Sequence, residues 1–189
     1  IQGELELRRN ACKPGDIILT TGIHGLSKLG FLIQNKINFD NEFSLNERLI
    51  NKSIEHFCHP KVYPNFLNNL LKTRSNNKIR RIGCTDSSDG LFQALQDLAI
   101  ASNCKAVINY KKIPKDKDWP KGDKWDEYYF FGGEDYELVF SLPKKWAKSL
   151  SKMDKNINEI GFFTDGEPSI EFKDNKKDKL FNKKPFKHF

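Results

Sequence analysis

A short apolar run, an acidic turn and an amphipathic helix follow one another directly between Ile82 and Ala99. Residues 82–85 are typical of a buried strand, and residues 86–90 are typical of a tight turn. The next apolar residues have the i, i+4, i+7 and i+8 spacing of one helix face: Leu91, Leu95, Leu98 and Ala99. This strand–loop–helix unit predicts helices layered on a sheet.

Similar patterns extend this arrangement along the chain. The predicted strands cover residues 17–21, 106–110 and 136–142, and a hairpin is predicted from 157–163 and 168–172 around the turn at 164–166. The other predicted helices cover 27–34, 44–57, 65–74 and 144–153. Ser44 and Glu47 have the spacing of a capping box, and 111–127 is predicted to be a polar loop. We therefore predict an α+β fold with one layered sheet.

Composition favours one globular domain without a membrane span. Of the 189 residues, 38% are hydrophobic, which is enough to form a core. The aromatic fraction of 12% is higher than a disordered segment usually has. No apolar run approaches the roughly 18 residues that a membrane helix needs. The sequence starts at Ile1 without a signal peptide, so we expect a processed chain or a fragment, located in the cytoplasm.

The net charge of +7 comes mainly from lysine, since only six of the 32 basic residues are arginine. Arginine is the residue that usually provides bidentate recognition of bases and phosphates. We therefore expect no nucleic-acid partner. A modest positive charge favours a small anionic, phosphorylated substrate instead. Residues 173–189 form a lysine-rich tail that ends in an aromatic segment.

The four cysteines are far apart in the sequence and form no Cys-x-x-Cys pair, which argues against a disulfide framework and a structural zinc site. Three possible metal ligands do cluster at residues 56–59, but no distant pair completes a tetrahedral set. A helix end before the break at Pro60 is the favoured interpretation of that cluster. Reduced thiols and a cytoplasmic location are the resulting expectation.

The turn at 86–90 carries two carboxylates, Asp86 and Asp89, at a helix start where backbone N–H groups favour an anion. Two acids repel a phosphate unless a cation lies between them, and Mg²⁺ binds one or two carboxylates together with phosphate oxygens. One interpretation is a carboxylate–Mg²⁺–phosphate bridge with a hydrogen bond from Ser88. The other is a helix N-cap at Asp89 after a solvated turn. The spacing alone favours neither.

A second acidic motif, residues 132–138, joins two glycines to an alternating strand. Glycine lets a ligand approach the backbone closely, and Glu134 or Asp135 can hydrogen-bond a substrate amine or support a metal. The residues alone favour the simpler interpretation, a glycine turn with a charged strand entrance.

Three weaker candidates accompany these motifs. The glycine loop at 20–25 can approach a phosphate, but it matches no established phosphate-binding motif. Arg8 and Arg9 can clamp a phosphate, although such a pair is more often a surface feature. The closing residues Phe186 and Phe189 can cover a flat ring, although docking of an apolar tail onto the core is the commoner explanation.

In order along the chain, these segments resemble the thiamine-monophosphate kinases. That family belongs to the ATP-binding superfamily that includes aminoimidazole-ribonucleotide synthetase and selenophosphate synthetase. Residues 132–138, Gly-Gly-Glu-Asp-Tyr-Glu-Leu, resemble the family motif without a mismatch, and residues 86–91 resemble its Asp-x-Ser-Asp-Gly-Leu. Shorter resemblances occur at Arg8–Ala11 with Lys13–Asp16 and Thr21–Gly22, at Ile160–Gly161 and at His188–Phe189. The resemblance implies a layered α/β/α C-terminal domain over residues 1–189.

The resemblance further implies transfer of the γ-phosphoryl group of ATP to thiamine monophosphate, with Mg²⁺ as cofactor and thiamine diphosphate as product. Carried over by position, Asp86 and Asp89 would hold Mg²⁺, while Arg8 and Ser88 would contact ATP. The residues implied for the thiamine moiety are Glu134, Asp135 and Phe186. A protein base is not demanded, because the acceptor is already a phosphate oxygen.

The family also has an N-terminal domain with further Mg²⁺-binding aspartates and most of the nucleotide and dimer contacts. No Gly-Asp-Asp-Ala segment of that kind occurs in this sequence. The chain is therefore expected to be the C-terminal half of a homodimeric enzyme and to be inactive alone. The loop at 20–27 departs from the family's Gly-Asp-Ser, which weakens its phosphate role. Two alternatives remain: a sister ATP-dependent synthetase of selenophosphate or purine type, and a non-catalytic binding domain.

Overall fold

The computed structural model describes residues 4–36, 45–76 and 78–173. Within these ranges seven strands form one mixed sheet: β1 Glu6–Arg8, β2 Asp16–Thr21, β3 Arg81–Asp86, β4 Lys105–Ile108, β5 Leu138–Pro143, β6 Ile157–Thr164 and β7 Ser169–Phe172. Their order across the sheet is β1-β3-β5-β2-β6-β4-β7. The inner pairs are antiparallel, and the edge pairs β1–β3 and β4–β7 are parallel.

The predicted hairpin of residues 157–172 is wrong. β4 lies between β6 and β7 and is hydrogen-bonded to both, antiparallel to β6 and parallel to β7. The turn residues at 164–166 suit a tight hairpin, but local turn chemistry does not determine which strand inserts between the two arms. The connection at 165–168 therefore crosses the end of β4.

The described ranges also contain six α-helices: α1 Leu26–Gln34, α2 Glu47–Cys58, α3 Phe66–Thr73, α4 Leu91–Ser102, α5 Asp123–Phe131 and α6 Lys144–Met153. Two short 3-10 helices cover Arg9–Ala11 and Tyr110–Lys112. Asn46 caps α2, since its side-chain oxygen accepts a hydrogen bond from the backbone N–H of Arg48 at 2.8 Å. The predicted cap, Ser44, lies outside the described residues.

The loop predicted for residues 111–127 is wrong at its end, where α5 begins at Asp123. The buried side of α5 carries an acid among its aromatic residues, so the sequence shows no uniform apolar stripe. Tyr110 donates its hydroxyl hydrogen to buried Asp126 at 2.6 Å, and Lys115 lies 2.8 Å from the same carboxylate. Because Asp126 interrupts the apolar spacing, the periodicity of the sequence does not predict this helix.

Helices cover both faces of the sheet, because apolar side chains along its strands point alternately to one face and the other. Along β2, Ile18 faces one core, whereas Ile17 and Leu19 face the other. Helices α1, α2, α4 and α5 contribute to the first core, and α3 and α6 contribute to the second. In the second core, the indole N–H of buried Trp146 donates to the Leu70 carbonyl at 3.0 Å and ties α6 to α3. This arrangement confirms the predicted layered α+β fold.

Helices α1 and α2 are packed closely because α1 has a glycine at their contact. A Cβ on Gly30 would overlap the carbonyl oxygen of Ser53 and lie 2.7 Å from the Cβ of Phe57. We expect Gly30→Ala to lower the free energy of unfolding by about 2 kcal/mol, as overpacking does. In an open helix the same change raises stability by about 1 kcal/mol. Urea denaturation measures the sign, and a more stable variant would contradict this packing.

In the described part of the chain, no helix has the length and apolar character needed to cross a membrane. The four cysteines lie in the described ranges and are free. Burial raises the pKa of the Cys84 thiol to about 12, so it is protonated at neutral pH.

Candidate functional site

The two acidic motifs meet at one end of the sheet. Asp86 ends β3, which pairs with the start of antiparallel β5. Beyond this point the backbone N–H of Ser87 donates to the Glu137 carbonyl at 2.9 Å. The backbone N–H of Glu134 donates to the Ser88 carbonyl at 2.8 Å. Main-chain hydrogen bonds therefore join two segments that are distant in the sequence.

Two glycines allow this close approach. A Cβ on Gly133 would overlap the carbonyl oxygen of Ser88. Gly90 has a φ of +93°, which other residues rarely adopt, and a Cβ there would lie 2.9 Å from the Phe130 carbonyl oxygen and 3.0 Å from the Gly132 carbonyl oxygen. The glycines are thus required by the contact between the motifs themselves.

The N-cap position of α4 is Gly90. The interpretation of Asp89 as the N-cap is therefore not supported. Asp86, Ser88 and Asp89 are half-buried in the turn that precedes α4. The Oγ atom of Ser87 is buried and has no hydrogen-bond partner among the described residues.

Negative charge is concentrated around Tyr136, beside this turn. The Tyr136 hydroxyl donates to Oε2 of Glu134 at 3.2 Å. The charge of Glu134 and this hydrogen bond raise the pKa of Tyr136, with smaller contributions from burial, Asp86 and Asp89. A hard divalent cation such as Mg²⁺ can bind one or two carboxylates together with phosphate oxygens and water. No group of three or more His, Cys, Asp or Glu residues in the described ranges could hold a metal ion, so phosphate oxygens or water would complete its coordination.

Asp135 lies in the core at the start of α1. It is 1% exposed, and its carboxylate oxygens accept hydrogen bonds from the backbone N–H groups of Gly25 at 2.6 Å and Ser27 at 2.9 Å. Burial raises the pKa of Asp135 to about 7, although these hydrogen bonds lower it. Of the two acids predicted to face the substrate, only Glu134 has an exposed side chain. Asp135 holds α1 against the motif.

Glu137 is a second buried acid, and it connects β5 to three other segments. Thr21 donates its hydroxyl hydrogen to Oε2 of Glu137 at 2.6 Å, and His56 Nε2 lies 3.5 Å from Oε1. Burial acts to raise the pKa of Glu137, but hydrogen bonds from His56, Thr21 and Tyr63 hold it below its ordinary value. Glu137 is therefore ionised at neutral pH and anchors the loop after β2.

Three residues of the site are not predicted from the sequence: His56, Tyr63 and Glu137. For Glu137 a signal was present in the sequence. Alternate residues of an extended segment point to the same face, so Asp135 and Glu137 share the inward face. Nothing in the sequence pairs them with His56. That residue turns inward from α2 and lies 3.0 Å from Oγ of Ser27, whereas its neighbours Cys58 and His59 are exposed, as a helix end predicts.

The glycine loop at 20–25 uses its polar atoms within the protein. The hydroxyl oxygen of Thr20 lies 2.6 Å from His24 Nε2, Thr21 bonds Glu137, and the N–H of Gly25 bonds Asp135. The structure therefore does not support a phosphate cradle at this loop.

His24 makes the protein sensitive to acid. Burial lowers the pKa of His24 to about 4, whereas an unfolded histidine has a pKa near 6.5. His24 therefore binds a proton more readily in the unfolded chain than in the folded one. The contribution of neutral, buried His24 to the free energy of unfolding is complete above pH 6.5 and is lost as the pH falls to about 4. The loss amounts to about 3 kcal/mol.

We expect His24→Gln to remove this part of the acid sensitivity. Urea denaturation at pH 7 and pH 4.5 measures the difference, with His59→Gln as a control because His59 is exposed. An unchanged difference in His24→Gln would show that His24 does not titrate in this way.

The structure brings Arg9, rather than Arg8, to the end of β3. Arg9 Nε donates to Oγ1 of Thr85 at 3.2 Å, directly before Asp86. The Arg8 side chain is 63% exposed on the edge strand and lies 3.2 Å from Oε2 of Glu6. A nucleotide contact by Arg8 stays a prediction. Phe186, predicted to face the thiamine ring, lies outside the described residues.

Comparisons with known proteins agree with this geometry. The family model described as AIR synthase related protein, C-terminal domain, matches residues 13–173. A thiamine-monophosphate kinase of Prochlorococcus marinus is 37% identical over 165 residues, which are 87% of this chain and 50% of that protein. A thiamine-monophosphate kinase of Buchnera aphidicola is 34% identical, covering 100% of this chain and 57% of that protein.

A solved structure described as AaThiL complexed with AMPPCP and TMP superimposes with a TM-score of 0.70 at 25% identity. The match covers 96% of this chain and 53% of that one. The chain thus spans about half the length of the relatives that it matches. The resemblance drawn from the two acidic motifs is confirmed. The chain belongs to the family of AIR synthase related proteins, C-terminal domain, and is a relative of the thiamine-monophosphate kinases.

Proposed function

We propose that this chain takes part in transferring the γ-phosphoryl group of ATP to thiamine monophosphate. The observation that carries the proposal is the main-chain junction that joins the turn at 86–90, with its carboxylates Asp86 and Asp89, to the exposed acid Glu134. The relatives named thiamine-monophosphate kinase, and the similar structure with AMPPCP and TMP, support it. Because the chain matches about half of each relative, the activity belongs to the protein as a whole.

Asp86 and Asp89 are proposed to hold Mg²⁺, and Ser88 to contact the nucleotide phosphates. Mg²⁺, when bound, would neutralise charge on the phosphate oxygens. Glu134 is proposed to face the thiamine moiety, supported by its exposure, and Asp135 to act indirectly by holding α1. Arg8 and Phe186 keep their predicted roles toward ATP and the thiamine ring.

In the proposed reaction, a phosphate oxygen of thiamine monophosphate attacks the γ-phosphorus. The bond from that phosphorus to the β–γ bridging oxygen breaks, and ADP leaves. The acceptor oxygen is already anionic, so this chain has to align and orient the phosphates rather than remove a proton. The positions of the half-buried Asp86 and Asp89, fixed by the ends of β3 and α4, suit that task.

Three further parts of the proposal concern the whole protein. A second, N-terminal domain would provide the remaining metal and nucleotide ligands, so residues 1–189 alone are expected to be inactive. The complete protein is proposed to be a homodimer through that domain. Its proposed location is the cytoplasm, where free cysteines such as those found in this chain are usual.

The test is chromatographic detection of thiamine diphosphate from thiamine monophosphate and Mg²⁺-ATP, with the protein encoded by the complete reading frame. Product formation supports the proposal. ATP consumption on selenide or a purine precursor, without thiamine diphosphate, would reassign the chain to a sister synthetase. Absence of any ATP consumption would favour a non-catalytic binding domain.

A further inference from the structure

Two residues of the motif at 132–138 have a strained backbone. Glu134 has a φ of +70°, and Tyr136 has a φ of +52°. Residues other than glycine rarely adopt this left-handed conformation, which persists only where the surrounding structure holds it in place. Both side chains are exposed, so their own packing contributes little to holding them. The strained conformation therefore depends on the residues that alternate with these two.

The alternating residues, Asp135 and Glu137, are firmly held in the interior. Each is 1% exposed. Asp135 accepts hydrogen bonds from two backbone N–H groups at the start of α1, and Glu137 accepts one from the Thr21 hydroxyl at 2.6 Å. Because each strained residue is followed directly by one of these acids, the orientation of Glu134 depends on where the two buried carboxylates are fixed.

One imidazole from α2 lies between the two carboxylates. Nδ1 of His56 is 3.8 Å from Oδ1 of Asp135, and Nε2 is 3.5 Å from Oε1 of Glu137. Nδ1 also lies 3.0 Å from Oγ of Ser27, whose backbone N–H donates to Asp135. The two carboxylates repel each other, and the imidazole offsets this repulsion. His56 thus fixes both acids at once.

The helix that carries His56 is anchored independently of the motif. Arg48 and Lys52 of α2 both form ion pairs with Asp116, and Lys52 Nζ lies 2.6 Å from its Oδ2. Asp116 is buried in the segment that precedes α5. Glycine at position 30 also lets α2 pack closely on α1. The imidazole is therefore presented to the two acids from a fixed support.

We propose that His56 is a positioning residue: by holding Asp135 and Glu137, it fixes the strained backbone at 134–136 and so orients the Glu134 carboxylate toward the acceptor. The proposal rests on the proposed function, in which Glu134 faces the thiamine moiety. His56 acts from the interior, since it is 4% exposed. The Tyr136 hydroxyl donates to Oε2 of Glu134 at 3.2 Å, so a shift of either strained residue moves the same carboxylate.

The first test is steady-state kinetics of the complete protein with His56→Leu, which removes both ring nitrogens. We expect the KM for thiamine monophosphate to rise about tenfold and the KM for ATP to change less than about twofold. The difference is expected because the proposed ATP contact Ser88 lies in the turn at 86–90, outside the segment that His56 holds. His56→Gln keeps an amide donor near the position of Nε2, so a rise of only about threefold is expected.

Leu49→Ala is the matched control, because Leu49 is a fully buried residue of the same helix that packs in the first core. The cavity is expected to lower the melting temperature at least as much as His56→Leu does, without raising the KM for thiamine monophosphate. An equal rise of this KM in Leu49→Ala would show that lost stability is responsible and would overturn the proposal. An unchanged KM in His56→Leu would overturn it as well.

Amide hydrogen exchange of the 189-residue chain measures the positioning without any reaction. The N–H groups of Ser87 and Glu134 donate across the junction of the two motifs. We expect both to exchange about tenfold faster in His56→Leu, as in a local opening. The amides that pair β4 with β7, at the far edge of the sheet, should keep their rates.

Unchanged exchange at Ser87 and Glu134 in His56→Leu would overturn the positioning role, whichever reaction the protein performs. Equally faster exchange between β4 and β7 would also overturn it, because the effect would then be global. Faster exchange confined to the junction, in a protein that forms no thiamine diphosphate, would support the positioning role and refute only the proposed function.

Discussion

Replacing Asp86 by alanine in the complete protein is expected to lower the rate of thiamine diphosphate formation about a hundredfold or more. Asp86 is proposed to hold the metal that neutralises the phosphate oxygens, and removing one such electrostatic group has an effect of this size. The side chain lies half-buried at the end of β3, so we expect the melting temperature to change by only a few degrees.

Asp165→Ala is the matched control for this result. Asp165 is an exposed aspartate in the connection between β6 and β7. The antiparallel pairing from β3 through β5 and β2 to β6 places it at the opposite end of the sheet. Rates are measured by chromatography at saturating Mg²⁺-ATP. A similar loss in both variants, or a full rate in Asp86→Ala, would contradict the assignment.

Asp135→Ala is expected to destabilise the chain by about 4 kcal/mol. The backbone N–H groups of Gly25 and Ser27 would both lose their acceptor in a buried site, and each unsatisfied donor costs about 1–3 kcal/mol. Asp135→Asn keeps one oxygen acceptor, so about half of this loss is expected. Urea denaturation at pH 8 measures both changes.

Glu134→Ala is the control for Asp135→Ala, because Glu134 is the exposed neighbour in the same motif. Its replacement is expected to change stability by less than about 0.5 kcal/mol. If Asp135→Ala were as stable as Glu134→Ala, Asp135 would not hold α1, and a direct substrate role would regain support.

The sequence predicts best those elements whose pattern is local. The unit at 82–99 appears as β3 and α4, and the helix predicted at 144–153 has the same bounds in α6. In both cases one apolar stripe and a clear start signal agree. β1 gave no such signal, since its three residues are all exposed and its pairing with β3 depends on distant contacts.

In the candidate site, too, the sequence predicts the local motifs but not the contacts between distant segments. The turn at 86–90 and the motif at 132–138 were recognisable as acidic glycine segments, but neither could be distinguished from an ordinary turn on its own. Their junction depends on the antiparallel pairing of β3 and β5, which sequence spacing does not reveal. The different roles of Glu134 and Asp135 likewise depend on which face of the strand meets α1.

The turn at 86–90 and the motif at 132–138 are proposed to form one metal-dependent site. Adding substoichiometric Mn²⁺ in place of Mg²⁺ to the ¹⁵N-labelled 189-residue chain tests it, because a paramagnetic ion broadens the amide signals of nearby residues. We expect broadening of residues 86–90 and 133–136 together, none at Asp165, and loss of the effect in Asp86→Asn. Broadening confined to one motif, or centred elsewhere on the surface, would contradict the claim.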